Sequence, residues 1–166
     1  MASRDLEDLA PAVRGPAQLL EQKAEAQGLE LLIYCTYRSP EEQARLYRKG
    51  RSYADIEAKA EELEREHGRQ DLGDLLLQVG PQEGGLVTYA GPGQSIHNYR
   101  MAFDAVPLEG GKPVWSTSDE EDRELWEMYG ELVREVGLEW AGDWTSFTEF
   151  PHAQAPDADW RELIKA

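Results

Sequence analysis

A chain of 166 residues with 17 basic and 33 acidic side chains, net charge −16, is sized for one domain around one sizeable core. That balance argues against nucleic acid, whose phosphates need Lys and Arg to displace counterions, and against adsorption to anionic membranes. No apolar run approaches the ~20 residues that span a bilayer, and Cys35, alone in the chain, permits no intrachain disulfide. The first residues lack a basic stretch leading into an apolar core, so the expectation is a protein made in the cytoplasm without a signal peptide.

Gly15 to Gln27 reads as a helix with Leu19, Leu20 and Ala24 on one side and Gly28 as its stop. Glu30 to Tyr37 is aliphatic and aromatic enough for a mostly buried strand, with Cys35 a buried structural thiol. Ser39-Pro40-Glu41-Glu42 opens the next helix: Ser39 caps, Pro40 suits the first helical position, and Glu42 completes a capping box. Gly50 closes it.

From Ala54 to His67 the chain is highly charged, with Ile56, Ala60 and Leu63 at helical spacing. A second short helix, Asp71 to Gln78, carries Leu72, Leu75, Leu76 and Leu77. Together they read as a helical insertion at about 53–85 within a single domain spanning 1–166. A Gly-rich stretch follows, with Leu86 to Tyr89 a short strand candidate. His67 is expected to face solvent.

Met101 to Leu108 reads as a buried strand that Lys112 to Trp115 pairs with across Glu109-Gly-Gly111. Ser118 with Glu121 starts another helix, its face formed by Leu125, Tyr129, Leu132 and Val136 and its end by Gly137. Leu138 to Trp140 and Ser146 to Thr148 are strand candidates, and a last helix begins near Asp157. Helices mix with antiparallel strands without a βαβ rhythm, which predicts an α+β fold with a small antiparallel sheet.

The chemistry concentrates in Ser95-Ile-His97, Asp104 and Glu149-Phe-Pro-His152. Two imidazoles and a carboxylate with a second carboxylate nearby suit a hydrolytic zinc site: three protein ligands, one position for water, and a base for its proton. On one straight strand, seven residues would separate His97 from Asp104 by about 23 Å. Ligands of one zinc each lie at ~2 Å from it. The chain must therefore turn at Asn98 to Arg100, with His97 at a loop's lip and Asp104 on the following strand.

These motifs resemble the VanY-like D-alanyl-D-alanine carboxypeptidases, and most closely their endolysin branch of L-alanyl-D-glutamate endopeptidases. The resemblance also draws on Tyr37-Arg38-Ser39, Gln43, Leu46-Tyr47 and Gly50-Arg51, on Gly93 to Tyr99, and on Trp140 to Phe147. It implies a Hedgehog/D,D-peptidase-like fold, zinc on His97, Asp104 and His152, and Glu149 as general base. Arg38 would hold the scissile carbonyl oxygen or a substrate carboxylate. Ser95 and Gln43 would orient substrate or the first ligand, and Asp143 would support a histidine.

Three positions depart from the pattern. Arg100 stands where the family commonly has Gly, and would force a different turn or reach towards an acidic peptide. Glu149 stands where the endolysin branch usually has Asp, and Ala153 replaces a common aromatic, which would open the cleft. The resemblance implies a monomeric phage or prophage endolysin that acts on the peptidoglycan stem peptide after release from the host cytoplasm. D,D-carboxypeptidase or dipeptidase action on D-Ala-D-Ala is the enzymatic alternative. A non-catalytic peptidoglycan-binding module is the alternative of another class.

Overall fold

The computed structural model describes residues 1–165. They form an α+β fold whose contacts divide the chain into two compact units. No helix among the described residues is long and apolar enough to cross a membrane.

The sheet unit comprises Ser3–Tyr37 and Arg100–Ala158. It contains α1 (Pro11–Ala26), β1 (Glu30–Cys35), β2 (Ala102–Glu109), β3 (Lys112–Pro113), α5 (Glu120–Glu135), β4 (Glu139–Trp140) and β5 (His152–Gln154). The strands run antiparallel in the order β1-β2-β5-β4, with β3 on β2. Val13, Ala17, Leu20 and Ala24 line one face of α1, while Trp126, Tyr129, Leu132 and Val133 line α5. Both stripes meet Phe103, Ala105 and Val106 of β2 in one core. Full burial of each large side chain stabilises by about 1.5–3 kcal/mol, so this core anchors β2 and the residues it carries.

Trp140 is held especially tightly. A Cβ on Gly130 of α5 or on Gly142 would lie 2.2 Å from its ring, so neither position has room for one. Helix α5 starts one residue later than the capping pattern predicts, because Asp119, not Ser118, accepts from the Glu121 N–H. Ser146 to Thr148 forms no strand.

The helical unit comprises Met1–Ala2, Arg38–Tyr99 and the segment from Asp159. It contains α2 (Pro40–Arg48), α3 (Tyr53–Arg65), α4 (Gln70–Gln78) and α6 (Trp160–Leu163). Ser39 caps α2 through the Glu42 N–H, as its sequence predicts. Helices α3 and α4 do not form a core of their own. Ile56, Ala60, Leu63, Leu72 and Leu76 pack with Ala44 and Tyr47 of α2 and with Ile164. The buried Arg48 ties α2 to the end of α4, donating from Nη1 to the Leu76 and Leu77 carbonyls at 3.1 Å each. It thereby satisfies carbonyls that a helix terminus leaves without an intrahelical partner. Leu86 to Tyr89 forms no strand and stays on the surface. His67 is half-buried, its ring edge-on to Trp160 at 5.2 Å.

Candidate metal centre and active site

Asp104, Asp143, Glu149, His152 and Arg100 belong to the sheet unit, and Arg38, Gln43, Ser95 and His97 to the helical unit. In the sheet unit, antiparallel pairing of β2 with β5 sets Asp104 directly opposite His152. Their facing atoms, Asp104 Oδ1 and His152 Nδ1, are 3.2 Å apart. On the other side of Asp104 the register of β1 shifts between Ile33 and Cys35, which brings the buried Cys35 opposite it.

Gln154, on the same strand as His152, decides the state of the imidazole. Its amide nitrogen donates to Glu139 Oε2 at 3.2 Å and to the Ala158 carbonyl at 3.4 Å. That orients its Oε1 at His152 Nε2, 2.8 Å away. Gln154 thus favours a proton on Nε2, and Nδ1 faces the carboxylate oxygen of Asp104. An imidazole nitrogen and a carboxylate, with a second residue orienting the ring, are donors suited to zinc.

Glu149 and His152 are fixed by a turn. The His152 N–H donates to the Glu149 carbonyl at 3.2 Å, and the Glu149 N–H to the Ala141 carbonyl at 3.2 Å. Trp140 Nε1 donates to the Phe150 carbonyl at 2.7 Å, and the Tyr129 hydroxyl to the Pro151 carbonyl at 2.8 Å. Burial pushes the Tyr129 phenol well above its ordinary range, and the nearby Asp104 carboxylate and Tyr34 phenol add to this. Tyr129 is therefore a permanent donor to the turn. The turn buries His152 and leaves the Glu149 side chain exposed, in no hydrogen bond or ion pair with any described residue. The Trp144 ring lies 5.7 Å from the His152 ring, tilted by 52°.

In the helical unit, Arg38 Nη1 donates to Gln43 Oε1 at 3.1 Å. Gln43 is wholly buried, and its amide nitrogen donates to the Ala90 carbonyl at 2.8 Å. It sets the direction of the guanidinium, and its burial corrects the expectation that it binds substrate. His97 lies in a 3-10 turn, Ile96–Tyr99, and is 4% exposed. The Arg38 N–H donates to its carbonyl at 3.2 Å. Ser95 Oγ accepts from the His97 N–H at 3.3 Å, so Ser95 braces that residue. Asn98 continues the brace, donating from Nδ2 to the Arg38 carbonyl at 2.9 Å and accepting from the Gly93 N–H at 2.9 Å.

Three sequence expectations are corrected. Arg100 turns its guanidinium onto residues of its own unit. Its Nη1 donates to the Asp8 carbonyl at 2.9 Å, and its guanidinium covers the Tyr37 ring at 3.9 Å. Its φ of 65° is the left-handed conformation that glycine adopts more readily, so these contacts offset a strain of about 1–2 kcal/mol. Asp143 supports no histidine: its carboxylate takes both hydrogen bonds of Arg134, at 2.7 and 2.9 Å. Arg134's hydrogen bonds hold the Asp143 carboxyl below its usual range, against a smaller opposing effect of burial. Ala153 opens no cleft, being wholly buried opposite Phe103 and Trp140. Gln154 and Glu139 were missed as a supporting pair, although the two-residue spacing of His152 and Gln154 on one strand puts both on one face.

Residues 89–155 match the D-alanyl-D-alanine carboxypeptidase family. The chain is 28% identical over 151 residues to the peptidoglycan L-alanyl-D-glutamate endopeptidase CwlK of Bacillus subtilis, covering 89% of this chain and 73% of that protein. Its fold is similar to that of the L-Ala D-Glu endopeptidase ChiX of Serratia marcescens, with a TM-score of 0.52 at 16% identity over 100% of this chain and 93% of that one. The matched segment holds His97, Asp104, Glu149 and His152, so over these residues the chain is similar to D-alanyl-D-alanine carboxypeptidases, and over most of its length to an L-alanyl-D-glutamate endopeptidase.

Proposed function

We propose that this protein is a zinc-dependent peptidoglycan peptidase that hydrolyses the L-alanyl–D-glutamate bond of the stem peptide. The observation that carries the reading is the Asp104–His152 pair, a carboxylate oxygen and a ring nitrogen 3.2 Å apart on adjacent strands, with the other ring nitrogen 2.8 Å from Gln154. The similarity to CwlK supports the choice of bond. His97, Asp104 and His152 would hold the metal. Zinc, when bound, supplies a Lewis acid that polarises a carbonyl and lowers the pKa of water to about 7.

The remaining steps belong to the chain's own groups. A carboxylate oxygen of Glu149 takes the proton from the attacking water and returns it to the departing amine. The Arg38 guanidinium, directed by Gln43, donates to the oxygen on which negative charge develops. Ser95 holds the His97 backbone, and Tyr129 and Trp140 hold the turn that presents Glu149.

A second reading, removal of the terminal residue from D-Ala-D-Ala, is favoured by the family matched over 89–155. Mass spectrometry of muropeptides after digestion of purified peptidoglycan separates the two. Endopeptidase action leaves L-alanine on the muramyl group and a new D-glutamyl amine; carboxypeptidase action releases free D-alanine. Unchanged muropeptide masses with zinc-loaded protein would refute both and leave a binding module. The same reading makes the protein a phage or prophage endolysin acting as a monomer. Turbidity loss of intact sacculi and light scattering test those two points.

A further inference from the structure

Outside the residues assigned above, the helical unit contains a cleft of about 500 Å³ between α2, α3 and the 86–89 segment. Tyr47, Arg51, Asp55, Lys59, Leu86 and Tyr89 line it. Its volume is that of a small-molecule site.

The cleft is built rather than incidental. Arg51 donates from Nη1 to the Tyr47 carbonyl and from Nη2 to the Thr88 carbonyl, both at 2.6 Å. Its guanidinium also covers the Tyr47 ring at 3.7 Å, so one side chain clamps the 86–89 segment to the end of α2. Gly50 lets the two backbones touch, because a Cβ there would lie 2.4 Å from the Leu86 nitrogen.

What the clamp displays is apolar and exposed. Leu86 is 48% exposed, Val87 59% and Tyr89 73%. Exposed apolar side chains gathered on a charged surface are a feature of binding sites. The polar wall has no net charge: Arg51 and Lys59 balance Asp55 and Glu62, with Lys59 Nζ on Glu62 Oε2 at 2.6 Å. A polyanion or a polycation gains nothing from that balance. A ligand with an apolar face and a rim of neutral donors and acceptors fits it. A pyranose has that form: its C–H face stacks on a tyrosine, while hydroxyl and acetamido groups bond to carboxylates and cations.

We propose that this cleft binds N-acetylhexosamine units of the glycan strand that carries the stem peptide. The choice of glycan rests on the peptidase reading above.

The test uses the full chain, zinc-loaded, with tetra-N-acetylchitotetraose as a peptide-free probe. Amide shifts in ¹H–¹⁵N spectra should move at residues 47–59 and 86–89, and Tyr89→Ala should weaken binding about three- to tenfold. Tyr89→Phe keeps the ring and should bind as wild type, which separates stacking from misfolding. No shifts up to the solubility limit of the probe, or shifts confined to other residues, overturn the proposal. In a second arm, a disaccharide-bearing stem peptide should show a lower KM than the sugar-free peptide, and Tyr89→Ala should shrink that ratio. Equal KM values for the wild type would also overturn it. If neither peptide is cleaved, the peptidase reading fails, and the tetra-N-acetylchitotetraose arm alone still decides whether the cleft binds sugar.

Discussion

Gln154→Ala removes the group that orients His152, and its consequences can be worked from the contacts it breaks. The His152 Nε2–H loses an acceptor at 2.8 Å, and Glu139 Oε2 loses a donor at 3.2 Å. Gln154 is 5% exposed and His152 7%, so water does not readily replace the amide. A buried donor left without a partner costs about 1–3 kcal/mol. For a chain of this size that lowers the Tm by about 2–10 °C. The second consequence is specific to the metal. With nothing holding the proton on Nε2, the ring is free to rotate and to change tautomer, and the Nδ1 lone pair no longer points reliably at the ion. Loss of such an orienting partner typically weakens metal affinity about 10- to 100-fold. The assay is zinc affinity by competition with a chromogenic chelator, with the melting temperature of the metal-free protein measured in parallel. Gln154→Glu, which keeps an acceptor at Nε2, should retain more zinc affinity than the alanine variant. Wild-type affinity in Gln154→Ala would refute the reasoning, since a purely structural role lowers Tm without touching the metal.

Glu149→Gln should keep zinc and fold but lose about 10²- to 10⁴-fold in kcat, because an amide accepts no proton from water; a wild-type kcat would move the base elsewhere. Gly130→Ala should destabilise the sheet unit, since the added Cβ meets the Trp140 ring at 2.2 Å. Overpacking costs about 1–3 kcal/mol, only partly offset by the ~1 kcal/mol gained in helix propensity, and urea titration showing a more stable variant would contradict this. Burial tends to raise the Glu62 carboxyl, but hydrogen bonds from Lys59 and Gln94 and nearby positive charge hold it below its ordinary value of 4.5. Its folded pKa lies below the unfolded one, so its stabilisation is complete above 4.5 and is lost as pH falls through the depressed value. The Tm gap between wild type and Glu62→Gln should therefore close on acidification, and a gap that widens would reverse the assignment.

Much of this protein is legible in its sequence because local rules and short-range spacing carry it. Ser39 caps α2 through Glu42, and Gly28, Gly50 and Gly137 take the left-handed φ that closes a helix. The apolar stripes of α3 and α5 are readable at a period of 3.6 residues, whereas on α1 the structure exposes Leu19 and buries Val13 and Ala17 beside Leu20 and Ala24. The type and order of the candidate metal residues were visible for a similar reason: few histidines are present, and both that matter sit in motifs. Where the reading failed, a residue had two compatible surroundings and only packing chose between them. Leu86 to Tyr89 has strand composition, yet Arg51 clamps it to α2 and no strand pairs with it. Arg100 and Asp143 are charged residues beside a site, which in sequence looks functional; in space Tyr37 and Arg134 claim them.

The sequence alone determined which side chains could hold a metal and supply a base, because those properties reside in residue type. Tertiary structure decided how they are set. Strand register placed Asp104 opposite His152, a buried glutamine chose the proton's position on the ring, and α2 and Ile164 drew the supposed insertion into a shared core. Register, tautomer and packing each depend on partners distant in the chain, and no local pattern encodes a partner's identity.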